Sequence, residues 1–283
     1  MDFGIDIFAT DTTMPPLDVA RHCERLGFYS LWLPEHSHIP TARTTPWGGR
    51  KDAAPLPEKY WRTHDSFVAL GAMAAVTERI KLGTGITLVS QRDPIWTAKE
   101  VATVDHLSNG RFLFGVGYGW NIEEMNHHGV EYRRRRALLR EKVLLMRALW
   151  TEDEASFDGD ILTLEPSWAW PKPVQRPHPP IYLGGKFGPK LLAHLVEFCD
   201  GWIPHGRASL PEETAAVRQA LEDAGRDPGT FGFAIFGARP DERSVEQARE
   251  AGVDEVVFAV ESNEPARVLE DLESTAEFVR RIA

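Results

Sequence analysis

The residues able to do chemistry gather where apolar, strand-like runs stop. Leu31-Trp-Leu-Pro-Glu35-His36-Ser-His38 ends one such run in a carboxylate and two imidazoles. Histidine is the side chain best placed to give or take a proton near neutral pH, although a strand-end histidine also serves structure alone, and both readings of His36 stand at this level. His36-Ser-His38 also matches the His-x-His of metal-dependent barrel hydrolases. Such sites need further histidines and a carboxylate at later strand ends; His205 is available, but Asp254 precedes its strand and falls on the wrong face. Gly115, Gly117 and Gly119 are spaced G-x-G-x-G, not the dinucleotide G-x-G-x-x-G, so they either approach a ligand or relieve crowding. Gly184-Gly185 and His205-Gly206-Arg207 each precede a helix start. Backbone N–H groups in such loops bind anions, and two of them together predict a phosphate site.

Holding these groups takes a regular frame. Eight runs read as strands: Phe3–Phe8, Ser30–Leu33, Ile80–Leu88, Phe112–Gly117, Ile181–Gly184, Gly201–Pro204, Phe231–Phe236 and Glu255–Val260. Each precedes a segment able to form a helix. Pro16 opens the first helix, which runs to Gly27; Asp65 caps the next, and Asp93-Pro94 is an N-cap followed by proline at the first helical position. Leu139, Val143, Met146 and Trp150 share one helix face. Ser209 with Glu212 reads as a capping box, and Asn263 with Pro265 opens the last helix. Eight alternations predict an α/β fold, a (β/α)8 TIM barrel forming a single domain over residues 1–283, with an open doubly wound sheet as the alternative. Insertions follow strand 2 (Glu35–His64) and helix 4 (Thr151–Pro180). The first rises from the face where barrel active sites form; the second contains a hairpin, Ala155–Leu164, and then a proline-rich stretch.

The chain has 283 residues, 42% hydrophobic and 26% charged, with a formal net charge of −10. That balance argues against nucleic acid or an anionic membrane as partner, and Arg133–Arg136 reads as a solvated or salt-bridged helix face. No run approaches the ~18 apolar residues of a membrane span. Met1-Asp-Phe-Gly-Ile-Asp6 reads as entry into a strand, not a signal peptide. Cys23 and Cys199, the only cysteines, read as buried reduced thiols of a cytoplasmic protein.

Ile80–Trp120, Trp150-Thr-Glu-Asp153, Pro171-Lys-Pro-Val-Gln175 on to Pro179-Pro-Ile-Tyr-Leu-Gly-Gly185, and Asp200-Gly-Trp202 follow one another in a familiar order. Together with Phe3-Gly-Ile-Asp6 and Leu31–His36, they resemble the bacterial luciferase-like monooxygenase family over nearly the whole chain. The nearest branch is that of the deazaflavin (coenzyme F420)-dependent oxidoreductases. The resemblance implies a barrel, usually a homodimer, that binds a flavin-type ring at its mouth and moves a hydride between coenzyme F420 and a small-molecule substrate. It implies a non-proline cis peptide at Gly85–Ile86 behind the ring, with His36 as proton relay and Glu35 tuning or orienting it. Gly117 and Gly119 would line the cofactor, and Gly184, Gly185, His205 and Gly206 would hold its phosphate.

Some relatives carry a glutamate just after the strand-4 glycines, where this chain has Trp120; the nearest carboxylates are Glu123 and Glu124. Two alternatives remain: an FMN-dependent monooxygenase fed by a partner reductase of flavin or F420, and a non-catalytic flavin-binding barrel. Gly71-Ala-Met-Ala-Ala75 suits close helix approach in a dimer. Trp47, Tyr60, Trp61, Trp120, Trp168 and Trp170 are expected at the mouth, where they would suit an apolar or planar substrate.

Overall fold

Strand β1 (Asp2–Ile7) shows how the chain sorts its residues: Phe3, Ile5 and Ile7 are buried in the core between barrel and helices, while Gly4, Asp6 and the following Phe8 turn to the barrel axis, as the two-residue strand period requires. The computed structural model describes residues 1–47, 54–206, 209–261 and 264–282. After β1 come α1 (Pro16–Leu26), β2 (Ser30–Leu33), α2 (Lys59–Arg62), α3 (Ser66–Ala74), β3 (Lys81–Thr84), α4 (Pro94–Leu107), β4 (Phe112–Gly117), α5 (Ile122–His127), α6 (Arg135–Thr151), β5 (Ala155–Asp158) and β6 (Thr163–Ser167). They are followed by β7 (Ile181–Gly185), α7 (Pro189–Phe198), β8 (Gly201–Pro204), α8 (Leu210–Asp223), β9 (Gly232–Ala238), α9 (Glu242–Glu250), β10 (Glu255–Val260) and α10 (Pro265–Ile282).

Eight parallel strands close in the order β1-β10-β9-β8-β7-β4-β3-β2, and β5 with β6 forms a separate hairpin. Closure rests on β1 pairing with β10 from Asp2↔Glu255 to Ile7↔Val260. The expected (β/α)8 barrel is therefore the fold, and the open sheet is not. Asp65 and Asp93 cap their helices, accepting from the Val68 and Trp96 amides at 2.8 Å each. Leu139, Val143, Met146 and Trp150 are all buried. Cys23 and Cys199 are buried and unpaired. The hairpin of the second insertion forms because Glu141 accepts three of its backbone amides, those of Asp160, Ile161 and Leu162, at 2.8 to 3.0 Å.

Two expectations change. The third strand stops at Thr84, not Leu88: the Gly85–Ile86 peptide is cis, and the chain crosses to β4, where Thr87 donates to the Gly115 carbonyl at 2.8 Å and accepts from Gly117 at 3.0 Å. Ser209 makes no side-chain cap, since its φ of −124° and ψ of 27° depart from the extended geometry that aims a capping oxygen at the first turn. Asn263 lies outside the described residues.

The barrel axis is filled by Trp32, Leu113 and Val257 with Tyr182 and Phe236. Trp32 meets Phe236 edge to face at 5.1 Å between centroids. Gly83 makes room for this plug, because a Cβ there would stand 2.3 Å from the Trp32 ring. The plug floors the C-terminal mouth.

Gly115 tests how tightly β3 and β4 are pressed together. A Cβ at this position would lie 1.9 Å from the Thr84 carbonyl oxygen, a backbone atom that no rotamer can move. Gly115→Ala should lower stability by about 2 kcal/mol or more, as overpacking does. A urea midpoint equal to that of the parent would show that the strands can spread.

Candidate active site

Above the plug a cavity of about 680 Å³ is lined by six of the barrel strands and by the segments just beyond β2 and β3. His36, just beyond β2, lines it. Its Nδ1 is 2.8 Å from Oε2 of Glu124 on α5, and the two side chains are 6% and 0% exposed. Glu124 is held by its other oxygen, which accepts from the Ser37 amide at 3.2 Å. An imidazole whose Nδ1 is engaged by a buried carboxylate has its tautomer set, which directs Nε2 to exchange protons on the cavity side. Glu123, one residue earlier, does something else: it accepts from the Thr44 amide and hydroxyl and the Thr45 amide at 2.7 to 3.1 Å. Burial opposes its charge, but the bonds from Thr45 and Thr44 prevail and bring its pKa down to about 2. The pair thus splits, Glu123 tying the first insertion to α5 and Glu124 setting His36.

Glu35 does not orient His36. Its carboxylate pairs with Arg92 and accepts from the Leu88 amide at 2.6 Å, so it fastens the segment that leaves β3. Burial raises its pKa against the pull of Arg92. Glu35 and His36 both line the cavity, but each is held by its own partner, Arg92 for the one and Glu124 for the other. His38 also turns away, with its ring stacked on His127 at 5.1 Å.

The remaining expected positions meet at the cavity: Gly85, Ile86, Gly117, Gly119, Gly184, Gly185, His205 and Gly206 all line it. Arg207 lies outside the described residues. Gly117 and Gly184 make room for one side chain, because Cβ atoms there would stand 2.3 and 3.1 Å from Ile86. Ile86 thereby packs directly on the backbone of β4 and β7. Gly119 and Gly206 have φ of +74° and +110°, conformations in which glycine is free of the Cβ clash. Arg135 and Lys186 bring positive charge to the same lining; Arg135 comes from the basic cluster expected to be wholly solvated or paired.

Aromatic rings wall the rest. Tyr60 lies 4.7 Å from Phe8, 5.3 Å from His36 and 5.8 Å from Trp47, and Trp120 lies 5.8 Å from His36. Trp61, Trp168 and Trp170 are exposed and are not part of this wall. Two residues of the site had no role assigned from sequence. Glu124 is fixed by a fold contact that no local pattern announces. Asp6, on β1, lines the cavity with its pKa raised to about 7 by burial, Lys59 opposing and Glu261 adding to the rise. Its even spacing from Gly4 and Phe8 was the available signal.

A family model described as luciferase-like monooxygenase matches residues 12–277. An uncharacterized protein of Mycobacterium tuberculosis is 40% identical over 284 residues, covering 100% of this chain and 98% of its own. An F420-dependent glucose-6-phosphate dehydrogenase of Kineococcus radiotolerans is 32% identical over 222 residues, 75% of this chain and 59% of that protein. Among solved structures, the monooxygenase RslO1 of Streptomyces bottropensis superposes with a TM-score of 0.79 at 20% identity, with all of both chains covered. With a match running nearly end to end and a barrel whose mouth carries the features set out above, the chain belongs to the luciferase-like monooxygenase family.

Proposed function

We propose that this protein is an oxidoreductase, one luciferase-like barrel domain over residues 1–283, that moves a hydride between coenzyme F420 and a small organic substrate. The observation that carries the reading is the His36–Glu124 pair at the edge of a cavity that is also lined by the glycine backbone of β4 and β7. The F420 dependence of the Kineococcus dehydrogenase supports the choice of cofactor. The fit is steric as well: Ile86 and the backbone at Gly117, Gly184 and Gly185 leave a flank on which a flat ring can lie. His205, Gly206 and Lys186 are positioned to take its phosphate.

When bound, the deazaflavin supplies or accepts the hydride. The chain's own residues do the rest. Glu124 accepts from Nδ1 of His36 and steadies the ring as it gains a proton; Nε2 exchanges that proton with the reacting partners. The aromatic wall excludes water from the site. Glu35 and Arg92 hold the backbone beyond Ile86, and so the surface against which the ring lies.

We also assign the working form to a homodimer in the cytoplasm, built on the outer face of α3 and α4. Val68 and Trp96 are 75% and 71% exposed there, Ile95 and Leu107 of α4 are exposed as well, and Leu107 lies 3.7 Å from where a Gly71 Cβ would be. Exposed apolar side chains in such number mark an interaction site.

Titration of the purified protein with coenzyme F420 and with FMN tests the cofactor directly. F420 should bind the more tightly; tight FMN binding without F420 affinity would overturn the reading in favour of a monooxygenase. His36→Ala should cut kcat by roughly 10²-fold or more, the range for a lost acid–base group, with F420 affinity retained. Glu124→Gln should reproduce part of that loss, and unchanged turnover in both variants would remove the pair from the mechanism. Trp96→Glu should convert a dimer into a monomer in sedimentation, and a parent that is already monomeric would refute the assignment of this face.

A further inference from the structure

Asp6 differs from the other buried carboxyls. Glu24 accepts three backbone amides, Glu141 accepts three more, and Glu255 accepts from Ser30 and Trp32. Each is occupied by the fold. Asp6 Oδ1, by contrast, is shielded from solvent and has no hydrogen-bond partner among the described residues, a costly condition. Glu123 Oε2 shares it, but there the other carboxylate oxygen accepts three bonds, whereas Asp6 lines the cavity. The charged and titratable groups that face Asp6 are Lys59 and Tyr60 of α2 and Glu261 beyond β10. Lys59 is already taken: it pairs with Glu261 and holds its ammonium 4.8 Å above the Phe8 ring. The in-register neighbours of Asp6, Trp32 and Ala259, bring no charge.

Position gives this carboxyl a purpose. Round the closed barrel β1 is four strands from β7 in either direction, so Asp6 stands across the mouth from Gly184 and Gly185. A substrate between that glycine flank and β1 would have Asp6 behind it and the Phe8, Tyr60 and Trp47 rings around it. We infer that Asp6 is the substrate-recognition residue of the mouth, gripping a neutral molecule by its carbonyl or hydroxyl oxygen while the aromatic wall takes its apolar part. The inference rests on the oxidoreductase reading for the identity of the opposite flank. With its pKa raised to about 7 by burial, Asp6 can donate a hydrogen bond at neutral pH and below, and only accept one above it.

Three probes of one shape separate these roles: acetophenone, which only accepts; 1-phenylethanol, which also donates; and ethylbenzene, which has no oxygen. They would be titrated calorimetrically into the full chain with and without coenzyme F420. Near pH 6 the parent should bind acetophenone about tenfold more tightly than ethylbenzene, the scale of one hydrogen bond. That preference should fade as pH rises through about 7, while 1-phenylethanol, able to donate to the carboxylate, keeps its own. Asp6→Leu should bind all three alike, and Asp6→Asn should keep the oxygen preference without pH dependence. Equal discrimination by parent and Asp6→Leu, or no acetophenone binding to the parent, would overturn the inference.

A readout without any ligand accompanies this. The folded protein holds the Asp6 proton up to about pH 7 and the unfolded chain releases it near 3.8, so the parent should lose stability relative to Asp6→Asn as pH rises across that window. Parallel stability curves would show an ionised Asp6 and refute its donor role. If the probes behave as described but F420 does not bind, Asp6 keeps its assignment and the cofactor reading falls.

Discussion

The mouth of this barrel is organised by the position of a single side chain, Ile86. It enters the space between β3, β4 and β7, and it fits only because positions 117 and 184 carry no Cβ. The strand that bears it has left the sheet by then, so its backbone must be held by other means. Thr87 exchanges hydrogen bonds with β4, and Glu35 takes the Leu88 amide while pairing with Arg92. Arg92 in turn reaches Glu100 at 2.5 Å and lies 4.6 Å from the Phe67 ring. A buried ion pair contributes little net stability, since desolvation offsets much of its attraction, but it defines geometry. Here it defines where the floor of the site ends and its wall begins.

The same economy explains why neighbouring residues do unlike things. Glu35 and His36 both reach the cavity, yet Glu35 is held by Arg92 and the Leu88 amide and His36 by Glu124. Glu123 and Glu124 diverge because a helix turn sends one towards the first insertion and the other beneath it. The result ties three elements together: the insertion is fastened to α5 by Glu123, and α5 to the end of β2 by Glu124. His36 is therefore positioned from the same short helix that holds Thr44 and Thr45, so the placement of those two residues and the orientation of the imidazole depend together on α5.

Much of this was legible in the sequence. Uninterrupted apolar runs ending in glycine announced parallel strands that must approach something closely, and Asp93-Pro94 announced a helix start; both signals are local and involve few residues. The barrel followed from their number and alternation. What was not legible is what depends on contacts across the chain. Glu124 lies 88 positions from His36, and nothing within α5 distinguishes it from Glu123. Ser209 had the right neighbours for a capping box but the wrong backbone angles. Trp168 and Trp170 were expected at the mouth on the strength of their type, yet they belong to an insertion that begins at the other end of a helix. Asp6 was hidden by its strand: a carboxylate among apolar residues reads as surface until the closed barrel puts it at the axis.

The charge of the site finally bears on how a chain of net charge −10 would receive the anionic cofactor proposed for it. Overall charge acts at long range and is screened within about 10 Å at ordinary ionic strength. Inside the mouth the local pattern governs. Arg135, Lys186 and the glycine backbone at Gly184 and Gly185 all line it. Glu261 is neutralised by Lys59, and Asp6 is brought towards neutrality by the burial that raises its pKa. A carboxyl kept ionised there would repel an anion across the cavity; one that carries its proton does not. The burial that makes Asp6 a hydrogen-bond donor thus also removes the charge that would oppose the cofactor, and one physical cause serves both halves of the site.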